Sequence, residues 1–446
     1  MIEAIEKKWN AIVDDLKELL SYPSISTYEA NKEILQKTAE FVVSLLNKAG
    51  FENIQIFNKE GAPIVFAELI VDKNLPTVLM YGHYDVQPPD PLELWETEPF
   101  CPTIKNNKIY ARGASDDKGQ FLTHIKAVEI LKERGELKYN IKIVVEGEEE
   151  IGSPSLYNFV KKYSSILKAD VILISDTSIY SNDQPTITTG LRGLVYFELE
   201  VQGPNRDLHS GVYGGAVMNP IHALCEIISK LKNNDGEIAI PGFYDKVVQL
   251  TDVEREKINS ISFDTLKYKQ NIGIEQLNQI KNYSILELIG TRPSFDVNGI
   301  WGGYTGQGSK TIIPSKAHAK ISMRLVPNQD PQEIAHLFIS YVQNLVPKGV
   351  KVKISTYQGA YPVVTSLFSS WYKKAEQAYE VAWGKKPIPT RDGGSIPIVA
   401  VFQKEIGAEI ILMGFGLDSD AIHSPNEHFD LNRLKKGILT VAHFLS

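Results

Sequence analysis

Cysteine is nearly missing. Cys101 and Cys225 are the only two in 446 residues, and they lie far apart. That excludes a disulfide scaffold and fits a reduced, cytosolic setting; neither thiol has the spacing or local charge of a nucleophile. Long apolar runs are missing as well. Nothing approaches the roughly eighteen apolar residues of a membrane span, so no membrane association is expected. The opening "MIEAIEKKWNAIVDDLKELL" reads as a charged amphipathic helix rather than a signal peptide. Basic patches are missing too: 47 Lys and Arg against 54 Asp and Glu leave a net charge of −7, with no block of like charge, which argues against a nucleic-acid partner. The glycine-rich "GLRG" and "GFGLDSD" lack the context of a phosphate loop. There is no internal repeat and no low-complexity segment.

What is present is an ordinary globular composition, 43% hydrophobic and 23% charged, in a chain long enough for two domains. Helical periodicity covers about 5–20 and 32–49. Short β-rich runs follow, "APIVFAEL", "PTVLMYG", "IKIVVEG" and "DVILISD", with helical stretches between them near 119–133 and 155–163. Strands alternating with helices predict an α/β domain with a mostly parallel sheet and helices on both faces. Near Gly190 the pattern changes. "LVYFELEVQG" alternates apolar and polar residues, a helix follows over 220–231, then a long polar stretch over 233–283. "TIIPSKAHAKISMRLVP" is another alternating region, followed by a helix at 331–345 and a strand at 350–355. This order predicts a small open-faced α+β domain at 192–360, inserted into a catalytic domain formed by 1–191 and 361–446.

Acids and histidines collect where the apolar runs stop. "LMYGHYDVQPP" ends a strand with His83 and Asp85, two residues apart and so on one side of it. A carboxylate beside an imidazole fixes its tautomer and strengthens it as a metal ligand. "RGASDDKGQ" offers Asp116 and Asp117, which could equally be a helix-capping turn. "VVEGEEEIGSP" runs a strand into Glu146, Glu148, Glu149 and Glu150, carboxylates that repel one another unless a cation intervenes. "VILISDTS" ends at Asp176, and "DAIHSPNEHF" carries His423 and Glu427. Open α/β sheets place their sites at the carboxyl ends of strands. Two His with several carboxylates suit zinc or a similar first-row metal, in numbers sufficient for two ions sharing a carboxylate. His124, His222, His318, His336, His428 and His443 fall outside these clusters and read as packing or surface residues.

Taken together, "GHYDVQP", "ARGASDDKG", "EGEEEIGS", "LISD", "RDLHSGVYGG", "KTIIPSKAHAKISMRLVPN", "TRDGGSIPI" and "HSPNE" resemble the M20 family of metallopeptidases, within it the cytosolic dipeptidases and carnosinase-like enzymes. The resemblance covers essentially the whole chain, with no departure at a ligand position. It implies two divalent ions per subunit, zinc first, with manganese and cobalt as other candidates. His83 and Asp176 would bind one, Glu150 and His423 the other, and Asp116 would bridge them. Asp85 would orient His83, and Glu149 would be the general acid/base. The inserted domain would be a lid and the interface of a homodimer. His209, an ordinary loop histidine by composition alone, would enter the partner subunit's active site. Arg324 would hold a substrate carboxylate, with Thr311, Gly394 and Ser395 as further substrate contacts.

The activity implied is hydrolysis of a short peptide with a free C-terminal carboxylate. An N-acyl amino acid deacylase is the nearest alternative, since its substrates carry the same carboxylate. A non-catalytic metal-binding scaffold is the alternative of another class, against which the retention of Glu149 argues.

Overall fold

The computed structural model describes residues 1–58, 61–261, 263–278, 280, 282–357, 359–394 and 396–446. They form two compact units, one of residues 1–189, 365–390 and 398–446, the other of 190–364 and 391–397.

The first unit is built on a sheet in the order Glu52–Phe57, Ile64–Leu69, Asn140–Glu146, Thr77–His83, Val171–Ile174, Glu409–Leu412 and Thr186–Leu191. The four strands from Asn140–Glu146 to Glu409–Leu412 run parallel. They are buried almost throughout, which is why their sequences read as continuous apolar runs rather than alternations. The expected α/β architecture is present, but the sheet is mixed rather than mostly parallel. Ile64–Leu69 pairs antiparallel to both neighbours, and Thr186–Leu191 pairs antiparallel to Glu409–Leu412. The short link between Glu52–Phe57 and Ile64–Leu69 leaves no room for the crossover that a parallel pair needs.

Helices cover both faces. On one, Ile2–Ser21 buries Ile5, Ile12, Leu16 and Leu19, a single stripe at helical spacing. It packs in one core with helices Lys32–Lys48, Lys118–Arg134, Ser370–Trp383 and Leu431–Leu445. Lys118–Arg134 is buried over most of its length and ends at Gly135, whose φ of 66° suits a glycine cap. On the opposite face Tyr81 meets Phe402 of helix Pro397–Ile406 edge-on, ring centroids 5.5 Å apart.

The second unit carries an antiparallel sheet in the order Ser294–Gly302, Lys316–Leu325, Gly193–Gln202 and Lys351–Thr356. Helices Pro220–Ser229 and Pro331–Leu345 cover one face, where Phe197 and Phe338 stack at 4.1 Å. The alternation read in "LVYFELEVQG" is the alternation of burial along Gly193–Gln202. The polar stretch after residue 233 holds two short helices, Asp252–Asn259 and Thr265–Ile272. Thr251 caps the first in a capping box with Glu254, and Asp264 caps the second.

Candidate metal centre

Strand Thr77–His83 delivers His83, fully buried, to its carboxyl end. Its neighbours in the sheet bring the Glu149–Glu150 turn after Asn140–Glu146 and Asp176 after Val171–Ile174. Asp116 lies just before helix Lys118–Arg134. Gly82 allows that helix to approach, because a Cβ there would sit 2.3 Å from Cβ of Phe121. His423 comes from the loop before helix Leu431–Leu445 and holds a left-handed backbone, φ 57°, a conformation uncommon outside glycine and often found at sites.

These side chains converge as two groups that could each hold a metal ion, His83 with Asp116 and Asp176, and Asp116 with Glu150 and His423. Asp116 belongs to both. Its Oδ1 lies 3.1 Å from His83 Nε2, and its Oδ2 lies 2.9 Å from His423 Nε2. His83 Nε2 is 3.9 Å from Asp176 Oδ2, and His423 Nε2 is 3.1 Å from Glu150 Oε2. Gln87 donates to Glu150 Oε2 at 2.8 Å.

The electrostatics call for cations. Burial raises the pKa of Asp176, Glu149 and Glu150 above the usual carboxylate range, and neighbouring carboxylates add to the rise. Burial alone would strip His83 of its proton, but hydrogen bonds to Asp116 and Asp85 outweigh it and hold the imidazole well above its ordinary pKa. Hydrogen bonds to Asp116 and Glu150 push His423 up to about 10. Burial opposes ionisation of Asp116, yet the two histidines keep it below its ordinary value. In the metal-free chain, protons on the imidazoles thus supply the positive charge that bound cations would otherwise bring. The nitrogen and carboxylate donors fit a first-row divalent metal.

Asp85 does more than face His83. His83 Nδ1 is 3.1 Å from the Asp85 carbonyl oxygen and 3.4 Å from its Oδ1. The two carboxylate oxygens each accept a backbone N–H at 3.1 Å, from Glu149 and from Glu150. Asp85 therefore ties the histidine loop to the turn carrying the candidate base.

The other acids of the same sequence clusters have structural partners. Glu148 accepts the N–H groups of Ala62 and Ser155. Glu146 accepts the hydroxyls of Tyr81 and Ser153, and burial pushes its carboxyl up to about 8. Glu427 turns inward. Its Oε1 accepts N–H from Ser115 and Asp116 at 2.9 and 3.0 Å, and its Oε2 accepts Gly113 N–H and Arg112 Nη1 at 2.7 and 2.9 Å. It shapes the loop that presents Asp116. Nothing in "HSPNE" distinguishes such a clamp from a ligand, because both demand a carboxylate. Asp420 accepts Ser115 Oγ and both terminal nitrogens of Arg433, a buried pair that sequence reading passed over.

In the second unit His209 is exposed and pairs with Ile312 in a two-residue ladder; its Nδ1 accepts Gly211 N–H at 3.0 Å. Thr311 lies beside it, its carbonyl accepting Ser210 N–H. Arg324 shares a neighbourhood with Arg192, Asp296 and Asp392, and burial lowers its pKa. Gly394 lies in the same place: its N–H donates to Asp392 Oδ1, and its carbonyl accepts Arg192 N–H. Ser395 lies outside the described residues.

Residues 79–446 match the peptidase family M20/M25/M40. The chain is 34% identical to the Cys-Gly metallodipeptidase dug1 of Schizosaccharomyces pombe, covering 98% of this chain and 95% of that one. It is 34% identical to the human Beta-Ala-His dipeptidase, covering 86% and 77% respectively. Its fold is similar to the crystal structure of an M20 family metallo-carboxypeptidase from Sulfolobus solfataricus, with a TM-score of 0.89, 36% identity and coverage of 97% and 98%.

Proposed function

The chain belongs to the peptidase family M20/M25/M40, and from that membership we propose that it hydrolyses the peptide bond of dipeptides and other short peptides with a free C-terminal carboxylate. The observation that carries this reading is the pair of three-residue groups sharing Asp116, with Glu149 close enough to feel the charges of His83, Asp116, Glu150 and Asp176. His83, Asp116 and Asp176 would hold one divalent ion and Asp116, Glu150 and His423 a second, zinc being favoured by the donor set. Bound there, the two ions would lower the pKa of a water and polarise the scissile carbonyl. Glu149 would take a proton from that water as it adds to the carbonyl and pass it to the amine as the C–N bond breaks. Asp85, through the Glu149 and Glu150 amides, holds the base in register with the ligands.

Arg324 receives the terminal carboxylate in a charge-assisted pair, which selects for chain ends. Thr311, Gly394 and Ser395 complete that contact. We assign His209 to the active site of a second subunit, where it stabilises the developing oxyanion; its exposed position supports a role outside its own unit's core. The inserted domain, expected at 192–360 and joined in its compact unit by 391–397, then acts as lid and dimer interface to a catalytic domain formed by the rest of the chain. The two cysteines are free and exposed, in keeping with a cytosolic enzyme. Among the described residues, no helix is long and apolar enough to cross a membrane.

The test is turnover by metal-stripped protein reloaded with zinc, manganese or cobalt, on a panel of dipeptides and N-acyl amino acids. Cleavage of dipeptides with any of these ions is expected. Turnover of N-acyl amino acids alone would move the chain to the deacylases, and no turnover with any ion would leave the scaffold reading.

A further inference from the structure

The family match begins at residue 79, yet the segment that backs the centre comes earlier in the chain. Helix Ile2–Ser21 has no basic residue in its last turn to answer its exposed carbonyls. Lys118 supplies hydrogen-bond donors from elsewhere. Fully buried, its Nζ donates to the carbonyls of Leu19 at 3.1 Å and Tyr22 at 2.8 Å. Lys118 is the first residue of its helix and stands two positions after Asp116.

The chain then turns, and the next residues grip a second loop. Ser24, also fully buried, donates its hydroxyl to the carbonyl of Tyr84 at 2.6 Å, and its backbone carbonyl accepts the N–H of Val86 at 3.0 Å. Ile25 forms a parallel bridge with Val86. Asn31 holds the strap from outside, donating to the carbonyls of Pro23 and Ile25 at 3.4 and 3.1 Å. Between the gripped residues Tyr84 and Val86 lies Asp85, whose carboxylate fixes the Glu149 and Glu150 amides.

We propose that residues 19–25 are a positioning strap for the metal centre, with Lys118 and Ser24 as its two anchors. Lys118 sets the height of the Asp116 turn, and Ser24 sets the His83–Asp85 loop and, through Asp85, the Glu149–Glu150 turn. The loops are separate in sequence and carry the bridging carboxylate, one imidazole, one further ligand and the base. A single short segment that touches two of them, and reaches the third through Asp85, fixes their mutual distances. Neither anchor contacts a metal position or substrate, so neither is catalytic. The proposal rests on the two-ion reading above.

The test compares Ser24→Ala and Lys118→Met with the parent chain. Zinc affinity is read by competition with a chelator, the visible spectrum of the cobalt-loaded protein reports ligand geometry, and steady-state kinetics on a dipeptide separate kcat from KM. Loss of outer support around metal ligands weakens binding or activity roughly 10- to 100-fold. That loss is expected in both variants, with an altered cobalt spectrum and a fall in kcat at near-parental KM. The melting temperature of metal-free Ser24→Ala should stay near that of the parent. Should Lys118→Met fail to fold, Ser24→Ala decides, since it removes only one hydroxyl. Parental metal affinity and cobalt spectrum in Ser24→Ala would overturn the strap, as would equal losses of stability in metal-free and loaded protein with affinity unchanged. A parent chain that binds no pair of ions would sink the two-ion reading and the strap with it, whereas a parent that binds two while the variants match it sinks the strap alone.

Discussion

Neighbouring glutamates with nearly identical sequence surroundings are asked to do different things. Glu150 lies 3.1 Å from His423 within a ligand group, whereas Glu149 belongs to neither group. Glu149→Ala should therefore abolish turnover with two ions still bound, and Glu150→Ala should lose metal from one position. Elemental analysis of the purified variants checks this, and equal metal loss in both would exchange the roles. Glu146 allows a test by pH. Its carboxyl is raised from 4.5 to about 8 by burial first, so the folded metal-free chain keeps it protonated while the unfolded chain ionises it. The stability that this group contributes is present below pH 4.5 and is lost as pH rises towards 8, at up to roughly 1.4 kcal/mol per pH unit. Glu146→Gln keeps the shape and cannot ionise. Its melting temperature in the metal-stripped protein should match the parent near pH 4.5 and exceed it near pH 8; equal melting temperatures at pH 8 would refute the assignment. At this scale the sequence was most legible where an apolar run stopped at a His or an acid, as at His83, Asp176 and Glu150. It was least legible for Glu427, Asp420 and Arg433, whose partners are backbone groups or side chains brought close only by folding.

Between strand Thr77–His83 and helix Lys118–Arg134 the distance is set by the absence of a side chain. Gly82→Ala would put a methyl 2.3 Å from Cβ of Phe121 and 3.0 Å from Asp117 Oδ2. The helix must move away, and Asp116 with it. Overpacking of this kind costs on the order of 1–3 kcal/mol. The expected outcome is a lower melting temperature together with weaker metal binding, because His83 and Asp116 stand on the two separated elements. A variant that loses stability yet binds metal as before would show that Asp116 is held independently of its helix. Periodicity revealed these elements well. Buried parallel strands appear as apolar runs, and half-covered strands such as Gly193–Gln202 appear as alternations. Asp252–Asn259 and Thr265–Ile272 escaped because they are short and mostly polar, with little buried along the first beyond Ile258. Their caps, Thr251 and Asp264, were the available signal. Strand direction at the sheet edges was not written in apolar pattern at all.

For the whole molecule, the proposed role of His209 makes two subunits necessary although each carries a full ligand set. His209→Ala and Glu149→Ala should each be nearly inactive and fully metallated. Co-expressed, they form hybrids in which one site combines a sound Glu149 with a sound His209. Random pairing makes about half the dimers hybrid with one working site of two, so activity should recover to roughly a quarter of the parent. Differently tagged chains verify exchange, and verified hybrids without recovered activity would place His209 outside the reaction. The hydrophobic pattern changes character near Gly190 and again after 360, but it carries no sign that 391–397 group with the second compact unit. How the ligand loops are braced was not legible either, since the brace joins residues 19–25 to loops about sixty and a hundred positions further on. The shared carboxylate of Asp116 has a further consequence, in the order of events during folding. Its two oxygens face partners far apart in the chain, His83 and His423. Strand Glu409–Leu412 lies beside the strand leading to Asp176, and helix Leu431–Leu445 packs on the helix that follows Asp116. Both ligand groups therefore wait on the same late segment and are completed together.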